Sequence, residues 1–297
     1  MDYRYQVFLA VANNLSFTKA AQEMYISQPA VTRHIRELEN TLGLALFNRK
    51  GNRITLTAAG EIVYRYAQKT HILYDELQYE LGTLKQTFSG SLRLGASSTI
   101  SQYVIPEVIA AFHTRYPDIE VSLINGNSFE MEQKLQENRI DLAMVENYSS
   151  KTDLQYVDFS DDEIVVIAGH TCKFGRNANG TLAELQHIPL VVRERGSGTL
   201  EVIEQYLKSA GYPLDRLNVI LHLGSTEAIK NFLPRFNGIG LVSVNAIHKE
   251  IQLNTLKIIP VKGLNIKRKF RFAYPKGPLT GNVKYFVDFT KNYNTSF

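Results

Sequence analysis

Apolar and polar positions first organise at helical spacing. Tyr5, Phe8, Leu9 and Ala12 fall at i, i+3, i+4 and i+7, which predicts an amphipathic helix ended by Asn13-Asn14. Two short helices joined by a tight corner are expected over Ser16–Arg36. Ser16 caps the first, Ala20-Ala21 leave a bare face for close packing, and Tyr25-Ile26 close the corner. Ser27 caps the second, and Pro29 is tolerated in the first turn, where its missing N–H costs nothing. Beyond it Ala30, Val31 and Ile35 alternate with Gln28, Thr32, Arg33 and Arg36, so one face is apolar and the other rich in donors. This helix runs to about Leu42 and stops at Gly43. Leu44–Phe47 begins an extended segment, Asn48–Arg53 reads as a basic turn, and Ile54–Leu56 returns as a strand, together a wing. Thr57 caps a long helix from Ala58 to about Phe88, with Ile62, Tyr66, Leu73, Leu77, Leu81, Leu84 and Phe88 on one stripe. A helix of that length spans about 45 Å. It cannot bury such a stripe alone, so a partner helix from a second subunit is expected.

The pattern changes after Ser89-Gly90. Strands are expected at Ser91–Ala96, Ile119–Ile124, Leu142–Val145, Ile164–Ala168, Pro189–Arg193, Asn218–Leu223, Ile239–Val244, Lys257–Pro260 and Lys267–Ala273. Helices are expected at Ile100–Tyr116, Phe129–Glu137, Leu200–Ala210, Thr226–Leu233 and Asn282–Tyr293. Alternating strands and helices imply a parallel sheet with crossover helices. There are too many strands for one small sheet, so two α/β subdomains with the chain crossing between them are expected.

Charge sharpens this division. Residues 1–57 hold seven of the 33 Lys and Arg but only four of the 29 Asp and Glu, while the remainder is nearly balanced. The cationic excess therefore sits with the helical pair, as expected of a segment that faces phosphates. Gln28, Thr32 and Arg33 are the candidates for base-edge contacts in the major groove. Ser27, Pro29 and Ala30 set the helix close, and Arg36, Arg49, Lys50 and Arg53 are candidates for the backbone. The single cysteine, Cys172, excludes an intrachain disulfide, and the seven scattered histidines show no ligand spacing, so neither a metal nor a cofactor is expected. No apolar run approaches a membrane span and the N-terminus lacks an export leader, so a cytoplasmic location with no membrane partner is expected.

Two segments have the chemistry of a ligand cleft. Ser97-Ser98-Thr99 ends a strand and opens a helix, and Ser197-Gly198-Thr199 does so in the second subdomain. Each sets hydroxyls and free N–H groups at a helix start, which suits an anion or carboxylate beyond the strand ends. Ser225-Thr226 opens a third helix, and Arg193 is a candidate for the fixed positive charge. Glu146 also lies near a strand end, where it repels an anion unless it is turned away, paired, or met by a donor on the ligand. No Gly-x-Ser-x-Gly, P-loop or strand-following Gly-x-Gly-x-x-Gly is present, which argues against an enzyme.

Phe17-Thr18-Lys19-Ala20-Ala21, Ser27-Gln28-Pro29-Ala30-Val31-Thr32, Leu38-Glu39, Leu42-Gly43, Leu46-Phe47, Arg49 and Leu56-Thr57-Ala58-Ala59-Gly60 resemble the N-terminal domain of the LysR-type transcriptional regulators. Tyr116-Pro117, Ile140-Asp141-Leu142-Ala143 and Gly238-Ile239-Gly240 extend the likeness along the chain, whereas Phe236-Asn237 departs from the small residues usual there. Gly95–Thr99 through Pro106, with Arg193–Thr199, is most similar to the branch controlling carbon fixation and sulfur assimilation. The resemblance implies a winged helix-turn-helix over 1–57, a linker and dimerisation helix over 58–90, and an effector-binding domain over 91–297. That domain would be two Rossmann-like subdomains of the type 2 periplasmic-binding kind, I at about 91–162 and 267–297, II at about 163–266. It further implies homodimers or homotetramers on double-stranded promoter DNA, a small-molecule effector, and RNA polymerase as a further candidate partner. The competing reading, a stand-alone small-molecule binding protein of the same two-lobed fold, leaves residues 1–88 unexplained and lacks an export signal.

Overall fold

The computed structural model describes residues 1–50, 53–85, 88–170, 172–174 and 180–293. The chain forms two compact units, the first Met1–Gly90 with Glu137–Arg139, the second the remainder from Ser91.

In the first unit, α1 (Tyr3–Asn14) is capped by Asp2, whose carboxylate accepts from Arg4 N at 2.9 Å, and ends at Leu15 in the left-handed region. The expected single apolar stripe is replaced by continuous burial from Val7 to Ala12. The cause is packing on several sides, because α2 (Phe17–Glu23), α3 (Gln28–Leu42) and the later α4 (Ala58–Lys85) all pack on this helix. Ser16 and Ser27 cap α2 and α3, accepting from Lys19 N and Ala30 N at 3.2 and 3.3 Å. Tyr25 turns the corner at φ 53°, and Gly43 ends α3 at φ 69°. Val31, Ile35 and Leu38 of α3 are buried, and Phe8, Phe17 and Phe47 meet edge to face or tilted at 5.3–5.8 Å in the same core.

The wing is a hairpin of β1 (Phe47–Lys50) and β2 (Arg53–Leu56), with Phe47 opposite Leu56 and Lys50 opposite Arg53. This corrects the six-residue basic turn. Asn48, Arg49 and Lys50 pair with Thr55, Ile54 and Arg53, so the ladder takes up what the charges alone read as a loop. Glu39 supports the entry by accepting from Leu46 N at 2.8 Å. Thr57 accepts from Gly60 N at 2.9 Å, and a Cβ on Gly60 would lie 2.1 Å from the Leu46 carbonyl oxygen, so α4 starts only with glycine there. α4 is described as far as Lys85, and the expected end near Phe88 falls at Gln86 and Thr87, outside the described residues. Gly51, Asn52, Gln86 and Thr87 and the side chains of Arg49, Lys50 and Leu84 lie outside the described residues.

The second unit contains β3 (Gly90–Ser97), α5 (Ser98–Tyr103), α6 (Ile105–Arg115), β4 (Ile119–Gly126), α7 (Ser128–Gln136), β5 (Leu142–Val145), β6 (Leu154–Gly169), β7 (Gly180–Thr181), α8 (Leu182–Leu185), β8 (Leu190–Arg193), α9 (Gly198–Ser209), β9 (Val219–Leu223), α10 (Thr226–Phe232), β10 (Ile239–Ser243), α11 (His248–Gln252), β11 (Leu256–Ile258), β12 (Val261–Lys262), β13 (Ile266–Pro275) and α12 (Gly281–Asn292). It has two Rossmann-like lobes. Lobe I holds β3–β5, α5–α7 and α12, and lobe II holds β8–β11 and α8–α11.

Two expectations are corrected here. The single helix over Ile100–Tyr116 is broken at Val104 (φ −114°, ψ −60°), because Pro106 has no N–H to donate and its ring crowds the residues before it. The strand near Ile164–Ala168 begins ten residues earlier, at Leu154. Its acidic run Asp161-Asp162-Glu163 looks like a solvated loop. It is a strand because Lys269, Arg268 and Lys267 of β13 stand directly opposite. β6 and β13 run antiparallel through both lobes and join them into one hydrogen-bonded path, β4-β3-β5-β13-β6-β10-β8-β9, with β11 beside β6. The β3–β5, β8–β9 and β8–β10 pairs are parallel. At the Phe236-Asn237 departure, Phe236 packs on Phe232 at 4.8 Å and Asn237 accepts from Lys173 N at 3.3 Å. No helix among the described residues is long and apolar enough to cross a membrane.

Candidate functional site

Two groups of candidate residues lie in different units. In the first unit, α3 presents its polar face outward. Gln28, Pro29, Arg33 and Arg36 are exposed, and Ala30 and Thr32 half-buried. Gln28 and Thr32 order each other, Nε2 donating to the hydroxyl at 3.4 Å and that hydroxyl to the Gln28 carbonyl at 3.1 Å. Arg33 is held against Glu37, one turn further along, at 3.2 Å and stays largely in solvent. Arg53 is exposed on β2.

In the second unit, the cleft between the lobes gathers part of the candidate set. Ser97, Ser98 and Thr99 lie at the β3–α5 junction and Ser197, Gly198 and Thr199 at the start of α9, all buried. Between them sits Glu146, just past β5 and 1% exposed. It accepts from the Ser97 hydroxyl, from Thr99 Oγ1 at 3.4 Å, and across the cleft from Thr199 Oγ1 at 3.0 Å. Ser197 serves as the α9 cap, accepting from Leu200 N at 3.4 Å. Gly198 allows a close approach of the lobes, since a Cβ there would stand 2.6 Å from Ser128 Oγ and 2.8 Å from Asn147 N.

Arg193, Ser225 and Thr226 form a separate group. The Arg193 guanidinium is bidentate to Glu194 at 2.8 and 2.9 Å and donates to Thr226 at 3.2 Å, so its charge is already neutralised. Ser225 caps α10. Both α5, with six residues, and α10, with seven, are short, so little field comes from their first turns and hydroxyls carry the polarity there.

The cation beside Glu146 is Arg268, which the sequence reading missed. It lies on β13, 3% exposed. Nε is 2.6 Å from Asp162, Nη1 donates to Thr199 at 2.9 Å and is 3.7 Å from Glu146. Ser243 and Asn245 fix Asp162 from the far side, at 2.6 and 2.9 Å. Among the described residues, Arg268 Nη2, Ser98 Oγ and Ser128 Oγ have no protein acceptor, and Asn147 Oδ1, next to Glu146, has no donor. Buried donors are normally satisfied, so each of these is a candidate to meet a ligand. The signal for Arg268 was the match of a basic triplet to a distant acidic one, which is visible only once the strands are paired.

At another edge of the cleft Tyr103 of α5 donates to Glu227 of α10, and Lys230 Nζ sits 4.8 Å over its ring. Burial first, and then the Glu227 contact, raise the Tyr103 phenol far above its ordinary range. Tyr156, near Glu132, is pushed up to about 12, mainly by burial. No group of three or more His, Cys, Asp or Glu among the described residues is placed to hold a metal.

A winged helix-turn-helix followed by a two-lobed unit with a polar cleft defines a ligand-responsive DNA-binding regulator. Residues 4–61 match the family described as bacterial regulatory helix-turn-helix protein, lysR family, and residues 85–294 match the LysR substrate binding domain. The chain belongs to the LysR family of transcriptional regulators. It is 31% identical to the RuBisCO operon transcriptional regulator of Allochromatium vinosum, over 95% of this chain and 93% of that one. It is 29% identical to the HTH-type transcriptional regulator CysL of Bacillus subtilis, over 94% and 92%. The regulatory domain of Synechocystis CcmR, solved in complex with 2-PG, superposes with a TM-score of 0.62 and 30% identity, over 68% of this chain and 96% of that one. These relatives agree with the branch that Gly95–Pro106 and Arg193–Thr199 resemble.

Proposed function

We propose that this regulator reads promoter DNA with α3 and the wing, and that a small anion between its lobes modulates that binding. On DNA, Gln28, Thr32 and Arg33 contact base edges, Ser27, Pro29 and Ala30 seat the helix, and Arg36, Arg49, Lys50 and Arg53 hold phosphates. In the cleft Ser97, Ser98, Thr99, Ser197, Gly198 and Thr199 cradle the effector with Glu146. Arg268 supplies the charge in place of Arg193, and Ser225 and Thr226 orient the α10 side. The observation that carries the anion reading is the group of three unpartnered buried donors, Arg268 Nη2, Ser98 Oγ and Ser128 Oγ. The liganded Synechocystis relative makes 2-PG the first probe. The working form is a cytoplasmic homodimer or homotetramer, with RNA polymerase as a downstream partner and no catalytic step.

The test is calorimetric titration of the full chain with 2-PG, followed by footprinting with and without it. Thr99→Ala and Thr199→Ala should each weaken binding about tenfold, a lost hydrogen bond to a charged group. Effector-free DNA affinity should stay unchanged. Binding that survives both substitutions overturns the cleft.

A further inference from the structure

We propose that Glu146 decides which anions the cleft accepts, admitting those that carry a hydrogen-bond donor and excluding those that carry none. This rests on the anion reading above and concerns the chemistry of the ligand.

The cradle in the described structure is occupied by the protein's own carboxylate. Ser97, Thr99 and Thr199 all donate to Glu146, and Arg268 stands 3.7 Å from it. These are the hydroxyls that an incoming anion would use. Glu146 and Asp162 share Arg268, the cation within 4 Å of both among the described residues, so this buried trio carries a net negative charge. A second anion brought there without a proton sets bare oxygens against Glu146, which water cannot screen. A ligand that keeps a hydroxyl or a protonated oxygen turns the same contact into a charge-assisted hydrogen bond. Its remaining oxygens then meet the donors that lack a partner, Arg268 Nη2, Ser98 Oγ and Ser128 Oγ. The α9 start brings Ser128 and Glu146 together, because Ser128 Oγ and Glu146 Cγ lie 2.6 and 3.0 Å from where a Gly198 Cβ would be. A site with a buried acceptor of this kind rejects ligands lacking the matching donor much more strongly than size alone allows.

Inorganic phosphate and sulfate make the discriminating pair. Both are tetrahedral and of similar size, but phosphate near neutral pH retains a proton and sulfate retains none. Full-length protein is titrated with each by calorimetry at one neutral pH and constant ionic strength. The wild type should bind phosphate at least tenfold more tightly than sulfate. Glu146→Gln should erase that preference by gaining at least tenfold for sulfate, while Glu146→Asp, which keeps the charge, should retain it. A wild-type ratio near one overturns the proposal and needs no variant, so it decides even if Glu146→Gln fails to fold. A preference that survives Glu146→Gln also overturns it, and both of these outcomes leave the anion reading of the cleft standing. If neither anion binds to either protein, the proposal falls together with that reading.

Discussion

Arg268 shows how much of a buried charge's energy lies in its surroundings. Its guanidinium is paired with Asp162 at 2.6 Å, and Asp162 is itself fixed by Ser243 and Asn245. Both side chains are removed from water. Deleting one partner leaves the other charged and stranded, which costs about 3–5 kcal/mol. Asp162→Ala should therefore lower unfolding free energy by about that amount in urea titration, and a loss under about 1 kcal/mol would show that the pair carries little. On α3 the charges are exposed and their energies appear only on DNA. Arg33→Ala should cost about 1–3 kcal/mol on the operator and relax one base position, while Arg53→Ala should weaken all sequences alike and flatten the salt slope by about one. Operator titrations across a salt series read both, and wild-type behaviour in both variants would remove this face from the DNA. Ser97, Thr99 and Thr199 could be singled out from sequence because each lies where a strand gives way to a helix, even though Ser97 also caps α5, accepting from Ile100 N at 3.4 Å. Arg268 could not, since Lys267-Arg268-Lys269 reads as an ordinary solvated strand.

At the scale of elements, the expected order of helices and strands matches the structure closely, and the departures have local causes. Pro106 divides one expected helix into α5 and α6, a break that its ring imposes on Val104. The first half of β6 escaped notice because its alternation is irregular and acidic; only pairing with β13 makes it a strand. In the wing, the same three cations that read as a turn are ladder residues. The described part of the linker helix's expected stripe is bare in the single chain, with Ile62, Tyr66, Leu73, Leu77 and Leu81 all exposed and Leu73 reaching 63%. A surface of that kind is expected to be covered in a two-helix interface related by a dyad. Leu77→Lys would set a charge into that seam and should release monomers in sedimentation velocity; a variant that stays dimeric with intact DNA binding would place the interface elsewhere.

At the scale of the molecule, the second unit is held by paired strands and by contacts across its cleft. β6 and β13 supply the continuous backbone ladder, while Ser149 with Glu201, Phe129 with Gly196, and Tyr103 with Glu227 join the lobes side by side. The chain leaves lobe I along β6, builds lobe II, and returns along β13. This route sets a schedule for synthesis. Chains emerge from the ribosome in order and fold by parts. Lobe II is one uninterrupted stretch, and its core closes as soon as Ile266 opens β13. Lobe I is begun first and finished last, since its β5 has no β13 neighbour and its Phe112 no Phe286 until the closing residues appear. A chain that has emerged from the ribosome only as far as residue 266 would thus carry a finished lobe II beside an unfinished lobe I. The half of the cleft that holds Ser97, Thr99 and Glu146 is the last part of the protein to come into being.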